Sequence, residues 1–389
     1  MKYLTLVAVF YVHTLLVAGV TDKIFCYYGS WAYYRNIGKV ATTDLNTTLC
    51  THIIYTFIGI TKNAEVKLLD AWLDVTMGGI KNTVALKERN ANLKVLFAIG
   101  GWNEGAGAFS LIAADADLRK SFGRNAVNFI KEHNLDGMDV DWRYPGDNKG
   151  RPEDKQNFVL LLEELRNVFD EHGYILSAAL SGTREQREIS YDVTNINRHL
   201  HFMNIMIYDL HGSWEGKTGP HAPFTASSDD ISHLNVISII DEWIQAGASA
   251  SKLLLGIPFY GRSFTLKDVN NHGMDAPTTG AGNAGVATRE SGSLSYAEIC
   301  SNIKNSGWKE EYDKSRHAYY SYHGNQWVGY DNIHSVREKV SYAITKGLAG
   351  VMVRTIDQDD VKNECGGGTW TLLTAIKKRL QLVQPQMYG

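Results

Sequence analysis

The segment Leu135–Gly146, LDGMDVDWRYPG, concentrates charged side chains at a spacing that can do chemistry. In an extended strand, side chains alternate sides, so Asp139, Asp141 and Arg143 share one face while Val140 and Trp142 share the other. Two carboxylates ~6–7 Å apart on one face repel each other and raise the proton affinity of at least one. That arrangement suits acid–base or electrostatic work. The third member is a guanidinium, whose pKa above ~12 keeps it charged, so Arg143 cannot donate a proton near neutral pH. Its chemistry is ion pairing. We expect Arg143 to pair with one or more aspartates, whether the constellation is functional or only a neutralised cluster. Asp136 opens the segment.

Further polar and aromatic residues fall at regular positions along the chain. They are Tyr27 and Trp31, Gly100-Gly101-Trp102, Tyr208-Asp209, Tyr260 with Arg262, and Arg354. Each follows a short run of β-branched and aromatic residues. These runs are Ile24–Tyr28, His52–Ile58, Lys94–Ile99, Gly137–Trp142, Ile175–Leu180, Met203–Tyr208, Leu253–Phe259 and Gly350–Val353. Between them lie stretches of helical periodicity such as Asp117–His133, Lys155–Glu171 and Val336–Lys346. Strands alternating with helices make parallel βα units, and eight such units close an α/β, (β/α)8 TIM barrel. Barrel chemistry sits at the C-terminal strand ends, which is where these residues fall. The gap between strands seven and eight is too long for one crossover. Residues from about Ser263 to Tyr330, rich in Gly, Ser, Asn and Tyr, therefore read as an insertion with a small fold of its own.

Composition narrows the function. With 39 Lys+Arg against 42 Asp+Glu, a net charge of −3 and 44% hydrophobic residues, the 389-residue chain is neither disordered nor built to bind nucleic-acid phosphates. Residues 1–20 combine Lys2, an apolar run and small residues at Val17 and Gly19, the pattern of a cleaved secretory signal. No later stretch reaches the ~20 apolar residues of a membrane span, and no Cys-rich binding module is read. Export permits disulfides, so the four cysteines can form two bridges, most economically Cys26 with Cys50 and Cys300 with Cys365. Asn46-Thr47-Thr48 is the one N-x-S/T sequon and a candidate glycan acceptor. No HExxH, metal-ligand spacing or nucleophile elbow occurs, so no metal or cofactor is expected. Gly280–Gly285 matches G-x-G-x-x-G without the strand and helix that motif requires. His211 reads as a loop residue, and Lys377-Lys378-Arg379 as the positive end of the last helix.

Six motifs in order then resemble the family 18 glycoside hydrolases, the chitinases and chitinase-like lectins, along essentially the whole of residues 21–389. They are CYYGSW (Cys26–Trp31), AIGGW (Ala98–Trp102), DGMDVDW (Asp136–Trp142), MIYDLHGSW (Met206–Trp214), GIPFYGRSF (Gly256–Phe264) and GVMV-x-x-ID-x-DD (Gly350–Asp360). The resemblance implies the two disulfides and makes the insertion, drawn as 263–335, a small α+β subdomain. It also implies a substrate-assisted hydrolysis: a glutamic acid protonates the glycosidic oxygen while the substrate's N-acetyl carbonyl attacks the anomeric carbon. The aspartate two residues earlier orients the acetamido group. Here that aspartate is Asp141, and the position of the acid holds Arg143. The tryptophan that floors the family's cleavage position is Arg354, so two added cations are expected to face Asp139, Asp141 and Asp209. The remaining positions that contact sugar in active relatives are kept: Tyr27, Trp31, Phe57, Trp102, Met206, Tyr208, Asp209, Tyr260 and Arg262, with Trp214 as an outer platform.

With the secretory signal, these departures imply a secreted, extracellular, monomeric protein without hydrolytic activity that binds chitooligosaccharides or other N-acetylglucosamine-containing glycans weakly or selectively. The rival reading is a secreted signalling scaffold whose partner is a protein receptor or an anionic molecule drawn to Arg143 and Arg354.

Overall fold

A computed structural model of the chain describes residues 21–147, 150–228 and 232–382. The expected signal, residues 1–20, lies outside the described residues. Eight strands form a parallel barrel: β1 Lys23–Gly29, β2 His52–Ile60, β3 Lys94–Gly100, β4 Gly137–Asp141, β5 Ile175–Ser181, β6 Phe202–Met206, β7 Leu253–Pro258 and β8 Gly350–Arg354. Each pairs with the next, and β8 pairs with β1 to close the ring. The closing register sets Tyr27 beside Arg354, and the β3–β4 register sets Gly100 beside Asp141.

Alternation along the strands divides the core in two. Phe25, Tyr27, Ile54, Leu96, Ala98, Met206, Leu254 and Met352 point inward and fill the barrel. Their neighbours Ile24, Ile53, Val95, Phe97, Met138, Val140, Val351 and Val353 point outward and pack on the helices. The nearly continuous apolar runs in the sequence are thus those of a sheet buried on both faces. Helices Ala116–Glu132, Asp154–Asp170 and Ile333–Thr345 lie within a few residues of the expected ranges. Asp115 and Asn332 set two of the starts by accepting hydrogen bonds from free first-turn N–H groups.

Between β7 and β8 the chain builds an antiparallel six-stranded sheet and the helix Tyr296–Asn305. The sheet begins at Tyr260, not Ser263, because Tyr260, Gly261 and Arg262 already pair with Ser295, Leu294 and Ser293. Its last strand ends at Tyr330, and residues 331–335 instead lead into the Asn332-capped helix that returns to the barrel. The drawn range 263–335 is therefore shifted against the observed sheet at both ends. Cys26–Cys50 ties β1 to the segment before β2, and Cys300–Cys365 ties the insertion helix to the loop after β8. Asn46 lies in a half-exposed turn, its carbonyl accepting hydrogen bonds from Thr48. No helix among the described residues is long and apolar enough to cross a membrane.

Candidate functional site

Strand β4 delivers its two aspartates to very different surroundings. Asp139 is fully buried and accepts hydrogen bonds from the Tyr27 hydroxyl at 2.6 Å, Ser177 at 2.7 Å and the Asn204 amide at 2.8 Å. All three donors are neutral, so burial prevails. Burial pushes Asp139 up to about 6, Asp141 adds to the rise, and the hydrogen bonds oppose it. Asp141, also fully buried, is held by Arg143 in a two-pronged pair: Nε to Oδ1 at 2.5 Å and a terminal nitrogen to Oδ2 at 3.0 Å. Burial alone would lower the Arg143 pKa, but the Asp141 charge and hydrogen bonds outweigh it and hold the guanidinium well above its ordinary value. Arg143 is a permanent cation clamped on Asp141, as its spacing led us to expect.

Asp209 does not face Arg143 or Arg354. Its carboxylate accepts from Arg262 Nε at 2.7 Å and the Tyr260 hydroxyl at 2.8 Å, and His221 Nδ1 lies 3.5 Å away. Burial would raise its pKa, but His221 and Arg262 together hold it below the usual carboxylate range. The expectation that both unusual arginines would face Asp139, Asp141 and Asp209 is therefore corrected. Each aspartate has its own partners, and only Arg143 takes one of them. Arg354 instead lies over two rings, 5.1 Å from the Phe57 centroid and 5.7 Å from that of Tyr27. Tyr208 is raised by burial, with Arg354 and Arg143 pulling the other way.

Above this floor runs an open groove of about 1110 Å3. Trp31, Phe57, Trp102, Arg143, Tyr208, Asp209, Trp214, Tyr260, Arg262 and Arg354 all line it. Trp31 is parallel to Phe57, with centroids 6.1 Å apart, and Arg262 sits 5.9 Å from the Trp214 ring. Trp102 and Trp214 are 67% and 63% exposed, a large apolar cost unless a ligand covers them. The loop carrying Trp102 crosses Asp141 at a distance only glycine permits. Gly100 has φ +106°, and a Cβ there would lie 2.4 Å from the Asp141 carbonyl oxygen.

Tyr27 and Met206 lie beneath the groove in the barrel core, not on its wall. Asp136 lies away from the groove as well, where Lys87 and Lys94 pair with it. The sequence reading missed Tyr34, Leu69, Asp70 and Tyr144, which also line the groove. Tyr34 continues the aromatic run after Trp31 and could have been found by it. Leu69 and Asp70 sit in a loop with no periodic signal. His211 pairs with Glu215 within its loop. A separate cavity of about 280 Å3, between Ile37 and Trp308, is lined by none of the expected site residues. Cys300, Asp360 and Cys365 form the one cluster of metal-type donors among the described residues, but the sulfurs are bonded to each other and Asp360 accepts two backbone N–H groups.

Residues 23–359, nearly the whole barrel and insertion, match the family model described as glycosyl hydrolases family 18. The chain belongs to that family. Among family 18 relatives, Probable chitinase 2 of Drosophila melanogaster is 41% identical over 361 residues, covering 88% of this chain and 74% of that protein. Probable chitinase 10 of the same fly is 39% identical over 368 residues, and this chain spans 16% of its length. A human family 18 structure, YKL-39, described as a pseudo-chitinase with retained chitooligosaccharide binding properties, matches with a TM-score of 0.86 at 33% identity. It covers 93% of this chain and 100% of its own. The barrel expected from the alternating strands and helices is thus the family's fold, and proteins named as probable chitinases and one described as a pseudo-chitinase stand among the similar proteins.

Proposed function

We propose that this protein is a secreted, hydrolytically silent member of family 18 that binds N-acetylglucosamine-containing glycans in the groove. One observation carries the reading: Arg143 occupies the motif's acid position and takes both oxygens of Asp141. Positioned general-acid catalysis is typically worth ~10²–10⁴-fold, and a glycosidic oxygen is a poor leaving group without it. A guanidinium held above its ordinary pKa has no proton to give. The clamp acts a second time, because the family's acetamido-orienting aspartate has both oxygens engaged. The acetamido N–H of the substrate would have to displace a buried charge-assisted pair before Asp141 could accept from it. Arg354 replaces the floor tryptophan, so an apolar sugar face loses its platform there.

Binding is supported by what remains. Trp31, Trp102 and Trp214 present exposed faces along the groove, and Tyr260, Asp209 and Arg262 form a hydrogen-bonded polar wall. The YKL-39 description joins these two properties in one relative. The two disulfides support export to an oxidising compartment. Titrating chitotetraose against intrinsic tryptophan fluorescence, with product release followed in parallel, tests the reading. Saturable quenching without released sugars is expected. Product release contradicts the loss of hydrolysis, and absence of quenching favours the protein-binding scaffold.

A further inference from the structure

The charges at the barrel mouth do not close on themselves. Asp141 is taken by Arg143, Asp139 by Tyr27, Ser177 and Asn204, and Asp209 by Arg262, Tyr260 and His221. Among the described residues no carboxylate lies within ion-pair distance of Arg354. Its guanidinium rests over the faces of Phe57 and Tyr27, half-buried on the groove floor. Ring faces attract a cation, but they leave the planar fork of donors unengaged, whereas a carboxylate can take two of them. Arg143 and Tyr208 line the same groove, and the charges of both arginines act on the Tyr208 hydroxyl.

Resting on the reading of the groove as a glycan site, we propose that its floor selects glycans in which a carboxylated sugar adjoins N-acetylated sugars, the carboxylate pairing with Arg354. The guanidinium fork matches two carboxylate oxygens in one plane, and partial burial strengthens the pair relative to water. The neighbouring walls set the limit. Asp70 and Asp74 line the same groove, as does Glu290 beside Arg289, so a uniformly acidic chain meets repulsion away from the floor. A ligand with isolated acids among neutral acetylated sugars avoids it. The replacement of a ring by a cation thus changes which sugar is preferred at the floor, and not only whether one is bound.

The test titrates the full mature chain with three probes: a hyaluronan hexasaccharide, in which glucuronic acid alternates with N-acetylglucosamine; the same hexasaccharide as its methyl ester; and chitotetraose. The acid is expected to bind about tenfold more tightly than the ester at 50 mM salt, with the ratio falling at 300 mM. In Arg354→Met the ratio falls to about one. Equal binding of acid and ester by the wild-type protein overturns the proposal, and chitotetraose binding in that case leaves the glycan reading standing. An acid preference that persists undiminished in Arg354→Met also overturns it. Failure of all three probes to bind removes the proposal and the glycan reading together.

Discussion

Asp139 and Asp141 differ by two residues in sequence and by the charge of what surrounds them. Asp141 meets the Arg143 guanidinium, which takes both its oxygens. Asp139 meets neutral donors in a dry interior and binds its proton up to about pH 6. A carboxyl whose folded pKa lies above its unfolded value of ~3.9 costs stability once ionised, so its contribution is most favourable below pH ~4. Stability from this group falls as pH rises from ~4 to ~6 and is then level. Asp139→Asn removes that slope. Its stability relative to the wild type is expected to improve by about 2–3 kcal/mol between pH 4 and pH 7, read by urea denaturation at the two pH values. The aromatic residues carry a second prediction at this scale. Trp102→Ala, which touches no core cluster, should weaken chitotetraose binding by roughly tenfold, since ring–sugar contacts of this size are worth about 1–2 kcal/mol. Calorimetric titration checks it, and an unchanged thermal midpoint shows that the loss is local.

The elements explain why these side chains meet. Parallel pairing of β3 with β4 sets Gly100 against Asp141, and the loop leaving β3 must pass over the β4 backbone before it can lift Trp102 into the groove. Gly100→Ala forces a Cβ into that crossing at a left-handed φ. We expect a loss of about 1–3 kcal/mol in chemical denaturation, together with loss of glycan quenching from the displaced Trp102. The insertion depends on a different tie. Cys300 and Cys365 are 65 residues apart and join the insertion helix to the loop after β8, so the bridge closes a long loop. Replacing both by alanine should lower stability by about 2–4 kcal/mol, measured by denaturant midpoint, with faster amide exchange in Tyr296–Asn305.

At the scale of the whole molecule, most of the fold could be read in the chain, because eight strands buried on both faces leave short, nearly continuous apolar runs separated by helical stretches. The boundary of the insertion was less legible. Tyr260 begins a new sheet directly after β7, and pairing with a strand thirty residues later leaves no local mark. Part of the site was legible for a local reason: Asp139 and Asp141 lie on β4 and Arg143 follows two residues beyond its end, so short-range spacing alone brings Arg143 to Asp141. Partners from distant strands were not, so the Asp209–Arg262 pair and the neutral donors to Asp139 came from the structure. Loop residues such as Leu69 and Asp70 reach the groove through tertiary packing that no period encodes.

We propose that Arg143 and Arg354, rather than a defect spread over the barrel, separate this chain from a hydrolase. Arg143→Glu with Arg354→Trp restores a proton donor, frees Asp141 and returns a ring to the floor. Product release from chitotetraose, measured for the wild type and the double variant side by side, tests it directly. No products are expected from the wild type, and measurable hydrolysis is expected from the double variant. Hydrolysis by the wild type, or none by a folded double variant that still binds the sugar, contradicts it.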